Sequence, residues 1–288
     1  MTVADRSFTF PGGRTGVLLI HGLGGTPIEH RYVATGLARR GYTVSCPQLA
    51  GHCGSYADLR ATGWKDWYAS VETAYRQLCK SCDVVIVGGL SMGAILALHL
   101  AAEYGDEIAG TVLFAPTLKL NGWGVPWYSV LFKLVHQKWC ADLFPFSERE
   151  PYGIKDPRVR ALITNAINSG DSSQAGQLTN PGSSMLEMRW LINTVKRELG
   201  KVRQPTLIIH PREDDRAGLA NAEFLQKRLT GLVDTCVLDD SYHVITMDRQ
   251  REIVVQRTSD FAARVAAYCH HSQESQCRTR VGAVRGGA

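Results

Sequence analysis

Ser91 lies in the run Gly89-Leu90-Ser91-Met92-Gly93, directly after the apolar stretch Val84 to Val87 and before a helix-like run from Ala94 to Tyr104. A serine hydroxyl attacks a carbonyl when a base removes its proton and amide N–H groups hold the oxyanion that forms. A turn from strand to helix supplies the second condition: it exposes the hydroxyl at the sheet edge and sets helix N-terminal amides beside it. So tight a turn demands small residues at positions 89 and 93. A second glycine-rich run, His21-Gly22-Leu23-Gly24-Gly25, follows the stretch Val17 to Ile20 and lets backbone approach a ligand closely. The amides of Leu23 and Met92 are therefore the expected oxyanion donors. This loop has neither the Lys and Ser/Thr of a P-loop nor the spacing of a dinucleotide fingerprint. The chemistry that suits these residues is acyl transfer.

The base is expected late in the chain. Ser241-Tyr242-His243-Val244-Ile245 follows the strand-like run Thr235 to Leu238, and the order serine, acid, histidine makes His243 the candidate. His99 falls inside a helix, His136 in a long irregular interval, and His270 and His271 near the end. His21 opens a loop and reads as structural; His52 sits on a loop after an early strand. For the acid, the run Thr206 to Ile209 leads into His210-Pro211-Arg212-Glu213-Asp214-Asp215, three carboxylates in a row. Asp239 and Asp240 stand too close in sequence to His243 for the arrangement this order implies. Neighbouring side chains on an extended loop project oppositely. One of Asp214 and Asp215 is thus expected to face His243, and the other to face solvent or pair with Arg212 or Arg216.

These residues need a scaffold that gathers them. Short β-branched runs at Val17 to Ile20, Thr43 to Cys46, Val84 to Val87, Thr111 to Phe114, Thr206 to Ile209 and Thr235 to Leu238 alternate with helical segments. The helical segments are Ile28 to Arg40, Trp64 to Lys80, Met92 to Tyr104, Leu219 to Thr230 and Arg249 to Cys269. This rhythm predicts an α/β fold, a mostly parallel sheet flanked by helices. Residues 1–116 and 205–270 form the expected core. Residues 117–204 far exceed a usual connection of about two to six residues and read as a helical cap, or lid, inserted between late strands. Trp123, Trp127 and Phe132 supply its apolar surface, and Met185 to Leu199 a helix. Residues 271–288 read as a flexible tail.

The totals exclude several classes. Among 288 residues the net charge is +5 and the hydrophobic fraction 44%, ordinary for a globular protein. No basic cluster points to nucleic acid. No stretch of about twenty apolar residues predicts a membrane span, and the first sixteen residues hold no signal-like apolar run. Eight cysteines include Cys79-Lys80-Ser81-Cys82, which lacks a second pair or a histidine at zinc spacing. Free thiols, no metal and a cytoplasmic location are the expectation.

Taken together, His21 to Gly25, Gly51-His52, Gly89 to Gly93 and His243-Val244-Ile245-Thr246 resemble the bacterial carboxylesterases and monoacylglycerol lipases of the α/β-hydrolase superfamily. The resemblance spans roughly residues 16 to 267, the insertion apart. It implies a Ser-Asp-His triad, an oxyanion hole at Leu23 and Met92, a small cap forming the acyl pocket, and no cofactor. It also selects Asp214 as the acid, because in those relatives the acid stands two residues after a basic one, as in Arg212-Glu213-Asp214. Cys53, where many relatives have glycine, and the long tryptophan-bearing cap depart from the pattern. The expected partner is a small ester of short to medium acyl chain, with Trp123 and Trp127 at the acyl pocket. C–C bond hydrolysis or cofactor-free peroxidation by the same triad is the alternative, and a non-catalytic binding role a further one. The sequence does not specify the oligomeric state.

Overall fold

The computed structural model of the chain describes residues 4–168, 176–177 and 179–285. Its strands are β1 Phe8–Phe10, β2 Thr15–Ile20, β3 Thr43–Cys46, β4 Val84–Leu90, β5 Gly110–Phe114, β6 Phe146–Ser147, β7 Thr179–Asn180, β8 Thr206–Pro211 and β9 Val233–Leu238. Seven form one sheet in the order β1-β3-β2-β4-β5-β8-β9, and β6 pairs with β7 apart from it. Every pairing in the large sheet is parallel except that of β1 with β3. Parallel strands covered on both faces read as continuous apolar runs, and β4 is buried at every residue.

Alternation along each strand divides the core in two. Leu18, Ile20, Val85 and Val87 enter one cluster; Val17, Leu19, Val84 and Ile86 enter the other. The first is covered by α3 (Trp64–Leu78), α4 (Met92–Tyr104), α7 (Gly182–Glu198) and α8 (Ala220–Arg228). The second is covered by α1 (Arg31–Ala38) and α9 (Arg251–Arg285). Helix α4 is buried from Met92 to Ala101, as an apolar surface all round requires.

The expected α/β architecture holds, with three differences. Strand β1 was not expected; three residues ending before Pro11 at a sheet edge carry too little pattern to read. Helical backbone in α9 continues past Cys269 to Arg285, through most of the expected tail, whose last three residues lie outside the described ones. Residues 117–204 also do not form one helical cap. A 3₁₀ segment Trp127–Leu134, α5 (Lys138–Ala141) and α6 (Pro157–Asn168) precede α7. Met188, Leu191, Ile192 and Val195 of α7 sink into the same cluster as α3 and α4. The last helix of the insertion is therefore a layer of the core, because its apolar stripe is buried against the sheet's own helices. A short α2 (Tyr56–Arg60) completes the set. Among the described residues no helix is long and apolar enough to cross a membrane.

Candidate active site

Strands β2 and β4 are neighbours, yet the chain leaves β2 toward β3 on one side and reaches β4 on the other. Where the order reverses, the loops at the carboxyl ends of the strands part and leave a crevice. Ile20 pairs with Gly89, so the Gly22 loop and the Ser91 turn lie side by side.

Ser91 adopts φ +57°, a left-handed conformation that costs energy for a side-chain-bearing residue. Its N–H donates to the Phe114 carbonyl at 2.9 Å, and the turn presses on β2. A Cβ at Gly93 would lie 2.0 Å from the Ile20 oxygen, so only glycine fits there. Met92, the first residue of α4, has an N–H without an intrahelical acceptor. In the facing loop Gly25 N–H donates to the Gly22 carbonyl at 3.1 Å, and Gly24 has φ +70°. Positive φ at the third position of a turn calls for glycine and leaves Leu23 at the second. Ser91 Oγ lies 3.1 Å from Thr117 Oγ1, which donates onward to the Ala115 carbonyl at 3.2 Å. With its one proton so used, Thr117 accepts from Ser91.

His243 follows β9 and Asp214 follows β8, the last pair of parallel strands. Both side chains are buried, at 2% exposure each. The Nδ1 of His243 lies 2.9 and 3.0 Å from the Asp214 carboxylate oxygens. A carboxylate only accepts, so Nδ1 carries the proton and Nε2 keeps the lone pair. Asp214 also accepts the amides of Arg216 and Ala217, both at 2.8 Å. Burial pushes its carboxyl up, but His243, His210 and the Ala217 amide outweigh it and hold the group below the ordinary aspartate value. Two pairs are thus assembled, His243 with Asp214 and Ser91 with Thr117; no hydrogen bond among the described residues joins them.

Asp215 corrects an expectation. It neither faces solvent nor pairs with an arginine: it is buried, and its carboxylate accepts the amides of Gly153 at 3.1 Å and His243 at 3.3 Å. Arg212 pairs instead with Asp239, and Arg216 with Glu148. Asp240 is held outside by Lys155 and Arg249. His21 is structural, as expected, donating from Nδ1 to the Gly22 carbonyl and accepting the Leu49 amide at Nε2. Burial, then the neighbouring His52, keeps it neutral. His52 is buried against His21 and Trp67.

Three further groups escaped the sequence. Asp248, fully buried, accepts the amides of Lys155, Asp156, Tyr242 and Arg249 at 2.7 to 2.9 Å. Glu29 accepts the Gly22 amide at 3.2 Å. Burial raises its carboxyl from 4.5 to about 7, against the pull of that amide and of Arg216 and His243. A cleft beside the crevice is lined by Glu29, Glu148 and Arg216 together with Ile28, Ile154 and Met247. Thr117 is the third, placed by its contact with Ser91. A larger cavity of about 550 Å³ is lined from Leu118, the next residue in the chain, past Val125, Phe132, Met188 and Ile192. Trp127 lines this cavity. Trp123 lies elsewhere, its indole N–H donating to the Glu213 carbonyl and its ring edge-on to Tyr242. No sequence motif marks these groups; the contacts of Thr117 with Ser91 and of Asp248 with Lys155 and Asp156 form only on folding. His99, Glu103 and Glu198 have the chemistry of metal ligands, but His99 sits eight residues along α4 from Ser91, about 12 Å, and its Nδ1 already meets Glu198 at 2.7 Å.

A mostly parallel sheet flanked by helices, with a strained serine between its central strand and the following helix, defines the α/β-hydrolase class, here a carboxylic ester hydrolase. The chain belongs to the Hydrolase_4 family, described as serine aminopeptidase, S33, whose model matches residues 13–250. It is 31% identical to a thermostable monoacylglycerol lipase of Bacillus sp. (strain H-257) over 260 residues, 90% of this chain and 94% of that protein. It is 25% identical to a carboxylesterase of Bacillus subtilis (strain 168) over 265 residues, 91% and 98% of the two. A solved structure from work on LipS and LipT, two metagenome-derived lipolytic enzymes, matches with a TM-score of 0.76 at 27% identity. That match covers 90% of this chain and 97% of the other.

Proposed function

We propose that the chain hydrolyses carboxylic esters of short to medium acyl chains through an acyl-enzyme. Ser91 is the nucleophile, His243 the general base and Asp214 the acid that orients it. The observation that carries this reading is the His243–Asp214 pair, at the same carboxyl edge of the sheet as the strained Ser91 turn. Nδ1 is committed to Asp214, so Nε2 is the nitrogen free to act. Ser91 leaves Thr117 by a change of rotamer, and its proton passes to Nε2 as Oγ attacks the ester carbonyl. The amides of Leu23 and Met92 hold the oxyanion. His243 then protonates the departing alcohol, and the same nitrogen activates the water that releases the acid. No step draws on a metal or cofactor. The part of the insertion before α7 acts as the cap. The cavity that opens at Leu118 receives the acyl chain, and the cleft of Glu29, Glu148 and Arg216 the alcohol.

A nitrophenyl-ester series tests the reading. Each methylene buried contributes about 0.8 kcal/mol, so kcat/KM is expected to rise about fourfold per methylene until the cavity fills. Ser91→Ala is expected to fold and to lose at least about a thousandfold in turnover; a tenth of wild-type activity in that variant sinks the assignment. The family's description raises amide substrates as the competitor. Faster turnover of aminoacyl nitroanilides than of any ester would replace this reading.

A further inference from the structure

The acyl cavity has apolar walls and a cationic rim. Lys119, after β5, Lys133, in the 3₁₀ segment, and Lys196, in the last turn of α7, all line it. Lys196 lies with its Nζ 5.8 Å from the centre of the Phe224 ring. Burial, and then the positive charges of Lys119 and Lys133, hold its ammonium below the ordinary lysine value. All three reach the same cavity from separate elements. Among the described residues none of the three takes a carboxylate partner, whereas Lys138 and Lys155 pair with Glu187 and Glu213. Arg189, the other cation on this cavity, is occupied by the carbonyls of Phe132 and Val135. Three like charges gathered from separate elements at the edge of an apolar cavity repel each other, and an anion among them would relieve that repulsion.

We propose that the acyl cavity selects chains that end in an anion, with Lys119, Lys133 and Lys196 holding the far carboxylate of a dicarboxylic acid monoester while its ester carbonyl lies at Ser91. This rests on the ester-hydrolase reading and adds the substrate class to it. Hydrolysis then yields the dicarboxylate and the alcohol, with water the only other reactant. The cavity wall carries the methylenes and the rim the charge. An apolar pocket without such a rim rejects a carboxylate, because burying the charge unpaired is costly.

The test compares the mono-nitrophenyl ester of suberic acid with nitrophenyl octanoate, whose acyl chains have the same length. The wild type is expected to favour the suberate ester, and added salt should erode that preference, as screening of partly exposed charges requires; equal turnover of the two esters would overturn the selection. In Lys119→Gln/Lys133→Gln/Lys196→Gln the suberate-to-octanoate ratio of kcat/KM should fall about tenfold. Lys133→Gln alone should move it the same way by a smaller factor, which keeps the test decisive if the triple variant does not fold. A wild type that hydrolyses octanoate but rejects suberate a hundredfold overturns this inference and leaves the esterase reading intact. Hydrolysis of neither ester overturns both. A triple variant with an unchanged ratio that no longer binds phosphatidylglycerol vesicles would make the rim a lipid contact, and would also overturn it.

Discussion

Asp214 and Asp215 are neighbours in the chain with different work. Asp214 meets the imidazole of His243, and Asp215 takes the backbone amides of His243 and Gly153. Asp214→Asn removes the charge that orients and stabilises the imidazole; the corresponding change in another serine hydrolase cost about 10⁴ in turnover. A loss of at least about a hundredfold in kcat is expected here, with KM little moved. In Asp215→Asn an amide NH₂ would confront a backbone N–H, and a lost bond to a charged group is worth about 1.5–3 kcal/mol. That variant should lower Tm by several degrees and kcat by less than Asp214→Asn. If it proved the worse in kcat with Tm unchanged, the acid would be Asp215. Glu29 makes a second prediction. Ionised, it puts negative charge beside the Gly22 loop, the proposed oxyanion donor, so kcat/KM should decline as pH rises through about 7, and Glu29→Gln should lack that limb. Stability carries the matching sign. Between about 4.5 and 7 the folded chain binds the proton that the unfolded chain has released, so stability falls as pH rises through that window. Melting from pH 5 to 8 should show a smaller fall in Glu29→Gln; an identical alkaline limb in both proteins refutes the role.

Among the elements, the insertion divides between a core helix and a cover. Helix α7 is fixed by its apolar stripe, while the segment before it exposes Trp127, Val130, Leu131 and Leu134. Such surface is where substrate contact can vary without loss of fold. Trp127 lines the cavity, whereas Trp123 braces Tyr242 and the Glu213 carbonyl on the other side. Trp127→Ala is therefore expected to shift the preferred acyl length while acetyl-ester turnover stays within about tenfold. Trp123→Ala should leave the chain-length profile unshifted. A parallel drop across the whole series in Trp127→Ala would mean that the cover serves stability alone.

For the molecule as a whole, the question is what holds the insertion against the sheet loops that carry the chemistry. Asp248 does so with four amides, two from Lys155 and Asp156 of the insertion and two from Tyr242 and Arg249. Gly153 adds a second tie, donating to Asp215 and accepting from the Val244 amide at 2.8 Å. Residues 153–156 of the insertion are thus tied by hydrogen bonds to the His243 loop. Asp248→Asn can satisfy only part of this set, because its NH₂ faces donors. Faster amide hydrogen exchange is expected at Lys155, Asp156 and Tyr242 together, with a fall in kcat. Exchange that quickened on the insertion alone would show that the two parts are not coupled.

The sequence by itself determined what is local. A strand, a turn and a helix within some twenty residues made Ser91 legible, and continuous apolar runs made the parallel strands legible, because burial on both faces leaves its mark residue by residue. The order of those strands placed Leu23, Met92, His243 and the acidic run at one edge of the sheet. The tertiary structure decided what depends on closure between remote segments. Thr117 beside Ser91, Asp215 beneath the His243 backbone and three lysines around one cavity meet only when separate elements pack. A buried carboxylate and a solvated one look alike in a sequence. What separates Asp214, Asp215 and Asp248 from Asp239 is the set of amides each meets after folding, and packing alone supplies those.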